Sequence, residues 1–484
     1  MKRIINKYIL LACFASSFVA CNDFLTEDLK TDYNSSTFYT SETNAIRAIN
    51  GVYNSIKFTS ANNLIWVFGD VASDDAEKGG NPGDLVDADL IHQFNVTSDN
   101  GVLAVYWQFC YEGINRANSV IVYTPQISMD DNMKQRIVGE AKFLRAYNYF
   151  YLVNIWGQVP LRLDPPGATN LNVPLSDVAT IYAKIESDLM DALNSPIPAQ
   201  YTNPSDAGRV TKGAVYGLLA KTYLYQGKWN DCLTAINNLE ALQLYSLESN
   251  YGDLFKSGAE NSKEAIFAIL HMSGQNPGMG NILNVYFAPY EEGGYYMNCP
   301  TQSYVDAFDE KTISGGDDPR LDASIGRDGH PWVNGNIFSS EWSPTGYLIK
   351  KQNQPLSEVP IGTKADGSYP YIYLRYADIL LMKAEAFNER NQAGDFNNAT
   401  TAIDLVRGRV NLAPVAATNQ LLLRTAIQKE RRREFGFEFH RFFDLMRWGK
   451  DVAVAALDPN FKWQEPRYYF PIPLIEKDTN KAIQ

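Results

Sequence analysis

Apolar positions recur at helical steps through most of this chain. Over residues 43–56, Ala45, Ile46, Ile49, Val52, Tyr53 and Ile56 fall on one face, and residues 106–122 repeat the habit. Residues 133–156 keep Ile137, Ala141, Leu144 and Tyr151 in phase until Gly157 and Pro160 break it, and residues 181–193 close ahead of Pro196 and Pro198. These blocks predict amphipathic helices, each with one face to bury.

A stricter spacing runs from 216 to 239. Tyr216, Leu219, Ala220 and Tyr223 stand at the steps of a tetratricopeptide first helix; Gly227 turns the chain, and Cys232 and Ile236 take the small and large positions of the second helix. Small side chains at Ala220 and Cys232 let two antiparallel helices approach closely. Leu380, Ala384 and Phe387, followed by Ala399, Ile403 and Val406, repeat the unit with a longer loop, and residues 421–448 continue as one long amphipathic run. Such hairpins cannot bury their apolar faces alone, so the spacing predicts a stack.

Between 272 and 360 the helical period disappears. Gly274, Gly278, Gly280, Gly293, Gly294 and Gly315 punctuate the segment, and strand-like pieces are confined to 265–270 and 347–351. An insert of this length without regular structure is commonly functional.

Composition narrows the class. The 484 residues are 45% hydrophobic and 13% aromatic, a globular chain with a sizeable core. A net charge of −12 argues against nucleic acid as partner, because phosphate binding asks for a concentrated positive field. The one basic run, 429–433, is interleaved with Glu430 and followed by Glu434, and reads as a helix face carrying intrahelical ion pairs. At the N-terminus Lys2, Arg3 and Lys7 precede an apolar stretch over 8–19 and the small Ala20, the pattern of an export signal over residues 1–20. The stretch Phe18-Val19-Ala20-Cys21 resembles a bacterial lipobox, with Cys21 as the lipidated residue, and loss of the three signal cations takes the net charge from −12 to −15. Cys110, Cys232 and Cys299 form neither a disulfide framework nor a zinc pattern; Cys110 and Cys232, inside helical patterns, read as buried small hydrophobes. Past residue 20 no apolar run is long enough to span a bilayer.

Several blocks in order then carry a resemblance. Cys21-Asn22-Asp23-Phe24-Leu25, then Glu140-Ala141-Lys142-Phe143-Leu144-Arg145-Ala146 leading into Trp156-Gly157-Gln158-Val159-Pro160-Leu161, are similar to the SusD/RagB family of Bacteroidetes outer-membrane lipoproteins. So are Leu374-Arg375-Tyr376-Ala377-Asp378-Ile379-Leu380-Leu381 in the C-terminal half, Glu430-Arg431-Arg432-Arg433-Glu434-Phe435, and Arg441-Phe442-Phe443-Asp444-Leu445-Met446-Arg447-Trp448-Gly449. The resemblance implies a mainly α fold, a tetratricopeptide-like helical-hairpin scaffold with a loop-rich irregular subdomain packed on it. It divides the chain into the signal (1–20), an N-terminal helical region (21–270) and a C-terminal region (271–484) that includes the insert 272–360. It further implies a cell-surface protein, held to the outer membrane by a lipid anchor, that binds oligosaccharide (peptide in some members) and delivers it to a SusC-like TonB-dependent transporter. Acidic Asp23, Glu27 and Asp28 after the lipidated cysteine resemble surface-export signals.

Enzyme signatures are poor. Four histidines, at 92, 271, 330 and 440, are scattered; Gly79, Gly80 and Gly83 lack the strand–loop–helix setting of a phosphate cradle. Adjacent carboxylates such as Asp74 and Asp75, or Glu291 and Glu292, keep a lipid-anchored glycoside hydrolase open as an alternative, and a tetratricopeptide scaffold that binds only protein is another. No catalytic residue, cofactor or metal ligand is assigned. Asp317-Asp318-Pro319-Arg320 reads as a solvated turn with Arg320 paired to a carboxylate rather than a calcium loop. Arg375, Glu385, Glu430, Arg441 and Asp444 are charges embedded in amphipathic helices, where structural pairing is expected.

A sugar site asks for flat aromatic platforms beside polar groups, because a pyranose has an apolar C–H face and a hydroxyl rim. The insert supplies Tyr286, Tyr290, Tyr295, Tyr296, Trp332 and Trp342 outside any helical period, and Trp66 precedes an acidic loop with Asp74 and Asp75 that forms a second candidate rim. These nine residues are the candidate ligand-binding set.

Overall fold

A computed structural model describes residues 38–483, apart from 166, 168–171, 277, 334, 360–362 and 458. The predicted signal and Cys21 lie outside the described residues. Among those described, ten α-helices reach eight residues or more: α1 (Glu42–Asn54), α2 (Gly101–Tyr123), α3 (Asp131–Trp156), α4 (Val178–Asn194), α5 (Lys212–Tyr225), α6 (Trp229–Glu240), α7 (Tyr376–Arg390), α8 (Asp395–Arg409), α9 (Gln420–Phe435) and α10 (Arg441–Trp448). Six of them begin at a side chain suited to the task. Ser41, Asn100, Asp130, Asp177, Thr211 and Asn419 each accept a hydrogen bond from a backbone N–H of the first turn. The fold is mainly α, as the periodicity predicts.

Consecutive helices lie side by side as hairpins: α2 with α3, α3 with α4, α5 with α6, α7 with α8. Between α3 and α4 the Arg145 guanidinium makes a two-pronged bond to Asp188 at 2.8 Å, and the Tyr182 hydroxyl donates to Asn154. Ala220 and Cys232 are fully buried where α5 and α6 meet, the close approach that their small size permits. Cys110 and Cys299 are buried too, and burial pushes the Cys299 thiol up to about 12. One hydrophobic cluster runs from Ala45 to Phe470 through both halves of the chain. No helix among the described residues is long and apolar enough to cross a membrane.

Three expectations need correction. The run 421–448 is two helices, broken at 436–440, where Phe437 and Phe439 adopt left-handed φ of 62° and 66°. Gly436 lies so close to the Tyr304 ring that a Cβ would come within 2.2 Å of it, and the break places the Glu438 carboxylate between Arg375 and Lys351. The cations of 429–433 pair mainly across the fold instead of along their helix: Arg431 with Asp378 and Asp444, Arg432 with Asp74 and Asp75, Arg433 with Asp309 and Glu310. Arg320 is indeed paired, but in the interior, to Asp318, Glu430 and Glu434. Desolvating so many charges is tolerable only because each finds several partners; removing one typically costs about 3–5 kcal/mol.

Among the described residues eight short strands pair in twos, all antiparallel: β1 (Ala76–Gly79) with β5 (Met297–Pro300), β2 (Val159–Pro160) with β3 (Leu175–Ser176), β4 (Ala265–Ile269) with β8 (Tyr371–Arg375), and β6 (Ile325–Gly326) with β7 (Leu348–Ile349). The β4–β8 pair matters most for architecture. It joins the two ends of the irregular insert, with Ile269 opposite Tyr371, so the insert is a closed excursion from the scaffold with fixed feet.

Candidate functional site

The β1–β5 ladder brings the acidic loop beside the tyrosine-rich segment, with Ala76 opposite Pro300 and Gly79 opposite Met297. Ahead of β5 the chain folds back on itself: the N–H groups of Gly294, Tyr295 and Tyr296 donate to the carbonyls of Pro289, Val285 and Ala288, each at 2.9 Å. Gly294 is required here, because a Cβ would stand 2.1 Å from the Ala288 carbonyl oxygen. The result is a tight spur whose tip, the turn Tyr290–Glu292, carries Tyr290 at 74% exposure, while Tyr295 on its flank is 50% exposed.

Beneath the open rings lies a buried support. Tyr286 is half-buried, its ring 5.9 Å from that of Tyr295 on one side and 6.1 Å from Trp66 on the other. Half-buried Tyr296 donates its hydroxyl to Asn81 Oδ1 at 2.8 Å, so it is held edge-on by a polar side chain from the other strand's loop. Behind the spur, Cys299, Trp332, Phe338 and Leu348 form a satellite apolar cluster on which Tyr296 and half-buried Trp342 rest. The Trp332 indole N–H donates to Glu292 Oε1 at 2.9 Å, and Glu292 Oε2 lies 2.7 Å from the buried Lys364 ammonium. Glu292 is therefore a strut between the turn and the body.

Of the nine predicted residues five keep open or half-open rings: Tyr286, Tyr290 and Tyr295 in the spur, with Tyr286 against Tyr295, and Tyr296 and Trp342 against the satellite cluster. The other four are close by but are corrected as contact residues. Trp66 is wholly buried at the start of a π-turn, packed edge-on against Phe287. Trp332 is 3% exposed, the centre of its cluster. Asp74 takes both prongs of Arg441 at 2.8 and 2.9 Å, and Asp75 is bound by Arg432 at 2.6 Å. Burial pushes both carboxyls up; for Asp74 the Arg441 guanidinium, aided by Arg432, outweighs that and holds it below its usual range, whereas Asp75 stays raised. Asp70, one turn earlier, is pushed well up by burial, and accepts from Asn298 and from the Phe439 N–H.

Sequence reasoning missed Asn81 and the strut role of Glu292. Gly79 and Gly80, set aside as no phosphate cradle, are the residues that let the two loops touch: both have left-handed φ, and a Cβ on Gly79 would meet the Tyr296 carbonyl at 2.3 Å. The paired turn glycines beside an aromatic loop were the available signal for that contact. A cavity of about 620 Å³ between the end of α1 and β4 shares none of these residues.

A helical-hairpin scaffold presenting an open aromatic surface on a closed, loop-rich excursion is the class of protein that these features define. A model of the SusD family matches residues 263–484, and a second, described as starch-binding and associating with the outer membrane, matches residues 23–224. A SusD-like protein of Bacteroides ovatus is 29% identical over 95% of this chain and 85% of its own length. The starch-binding protein SusD of Bacteroides thetaiotaomicron is 24% identical over 78% of this chain and 77% of its own. A solved laminarin-binding SusD-like protein is 27% identical and superposes with a TM-score of 0.78, covering 92% of this chain and 99% of that one. The chain belongs to the SusD/RagB family.

Proposed function

We propose that this protein captures a glycan at the cell surface without cutting it, and passes it to a SusC-like TonB-dependent transporter. The observation that carries the reading is the pair of open tyrosines, Tyr290 and Tyr295, on one spur: Tyr295 rests against Tyr286, which in turn meets Trp66, and the turn that bears Tyr290 is tied to Trp332 through Glu292. Aromatic faces of this kind take the C–H face of a sugar, and the neighbouring Asn81, Asp84 and Glu291 offer acceptors and donors to its hydroxyls. A relative that is starch-binding and another that is laminarin-binding support the ligand class. The carboxylate pairs that a hydrolase would need are engaged elsewhere: Asp74 and Asp75 by guanidinium groups, Glu292 by an indole and an ammonium. A carboxylate gripped by a guanidinium, an indole or an ammonium is shielded from a glycosidic oxygen.

In this reading Cys21 bears the lipid anchor, the protein faces outward from the outer membrane, and the division at 21–270 and 271–484 separates a scaffold from the part that carries the ligand. Calorimetry of the mature chain against purified starch, laminarin and related polysaccharides, with chromatography of each incubated sample, tests it. Saturable heat with intact polymer is the expected result. Released oligosaccharide would replace capture by hydrolysis, and absence of binding to every polymer together with retention of a helical peptide would replace it by a protein scaffold.

A further inference from the structure

A second indole-lined site lies on the helical scaffold, sharing no residue with the tyrosine spur. The first residue of α6, Trp229, and the last of α10, Trp448, both half-buried, line one cavity of about 130 Å³ whose remaining wall comes from α7 and α9. Ile427 is its apolar lining, fully buried. Two ion pairs frame it. Arg424 binds Glu389 through two bonds of 2.7 and 2.6 Å, and Arg447 binds Glu385 through two, whose Oε1 also accepts from the Trp448 indole N–H at 3.3 Å.

Charge, shape and free hydrogen-bonding capacity together select the ligand. Two guanidinium groups against two carboxylates leave the lining neutral. A cation is opposed because Arg447 already sits 5.1 Å over the Trp448 ring, and an anion is opposed by Glu385 and Glu389. The Gln428 amide, half-buried in the same wall, has no hydrogen-bond partner among the described residues, so it holds two donors and an acceptor in reserve. Nor does the Trp229 ring stack on another ring or cation among the described residues. A volume of about 130 Å³ is on the order of the ~150 Å³ cavity that holds a single benzene ring, room for one ring and too little for a chain.

We infer that this is a second saccharide site, taking a single neutral pyranose ring between Trp229 and Trp448 with the Gln428 amide on its hydroxyls. Trp229 offers an aromatic face for the C–H face of the ring, Trp448 closes the opposite wall, and the Glu385 and Glu389 carboxylates, whose charges the arginines balance, stand as acceptors at the rim. The expected affinity for a single ring is on the order of millimolar, because the cost of immobilising a ligand offsets most of what so few atoms gain. The inference goes beyond the tyrosine site and stands on its own lining, so either can fail without the other.

The test uses the mature chain labelled with fluorotryptophan and titrated with the methyl glycosides of glucose, galactose and mannose. Fluorine NMR resolves the indoles, assigned through Trp229→Phe and Trp448→Phe. The expected result is a saturable shift of the Trp229 and Trp448 signals with at least one glycoside, while those of buried Trp66 and Trp107 stay fixed. Gln428→Ala, which removes a half-exposed amide and leaves both indoles, weakens that binding about 5-fold, the loss of one hydrogen bond of about 1 kcal/mol. Tyr290→Ala with Tyr295→Ala leaves it unchanged. Two results would overturn the inference: no movement of either signal at about 100 mM of any glycoside, or a shift whose midpoint is the same in Gln428→Ala.

Discussion

Glu292→Ala probes how the tyrosine spur is held, and its consequence follows from two contacts. The substitution removes the acceptor of the Trp332 indole N–H, 2.9 Å away on a residue only 3% exposed, and the carboxylate 2.7 Å from Lys364, whose side chain is 1% exposed. A buried donor without a partner costs about 1–3 kcal/mol. Stranding a fully buried charge would add more, but Lys364 still donates to Asn353 Oδ1 at 2.8 Å and to the Gln354 carbonyl at 2.6 Å. Burial already pulls its pKa down, so it sheds its proton more readily than a surface lysine once the carboxylate is gone. A net loss of about 2 kcal/mol is therefore expected, confined to the spur, and corresponds to about 30-fold more frequent opening. Hydrogen exchange read by mass spectrometry on peptides spanning 286–300 measures it: about 30-fold faster exchange there, none in α3, and a smaller effect for Glu292→Gln, which keeps an oxygen for the indole. Unchanged exchange in the spur, or a uniform increase across the chain, would refute the strut.

Three further outcomes are expected. Arg441→Ala leaves the buried Asp74 with Arg432 as its remaining guanidinium partner and lowers unfolding free energy in urea by about 3 kcal/mol, with Arg441→Lys intermediate because an ammonium cannot grip both oxygens; a loss under about 1 kcal/mol would contradict the latch. Asp70, raised well above its usual range mainly by burial, keeps its proton in the folded chain to higher pH than in the unfolded one, so its contribution to stability is lost as pH rises from about 4 through the folded value. Asp70→Asn stays neutral, and the Asn298 amide, whose Oδ1 has no partner, can turn to meet it; the melting temperature of the variant relative to wild type rises between about pH 4 and 8, and a constant difference would contradict a protonated Asp70. Trp66→Phe loses packing against Phe287 and lowers the melting temperature while leaving glycan affinity unchanged, since no face of Trp66 is open; weakened binding at unchanged stability would restore Trp66 to the contact surface.

What was legible in the sequence follows the range of the forces involved. The hairpins α5–α6 and α7–α8 rest on apolar positions three and four residues apart, and periodicity reports those directly. The structural role of Arg375, Glu430, Arg441 and Asp444 was legible too, because charges on the buried side of amphipathic helices must find partners. Which partners was not: Arg432 meets Asp75 across 357 positions, and no local spacing encodes that. The same limit explains Trp66 and Trp332. An aromatic in an irregular segment is equally suited to anchoring its loop and to meeting a ligand, and only the packing of Phe287 and Phe338 against them decides. The break at 436–440 escaped because helical periodicity continues on either side of it, while its cause is the approach of Tyr304 from the insert.

Titration calorimetry of the wild-type chain and of the Tyr290→Ala/Tyr295→Ala double variant, against whichever polysaccharide the wild type binds, tests the central claim most directly. Each open ring contributes about 0.5–1.5 kcal/mol of stacking, so affinity should fall on the order of 10- to 100-fold with the melting temperature unchanged. Equal affinity in the two proteins would contradict the account, because the glycan would then be held somewhere other than the tyrosine spur.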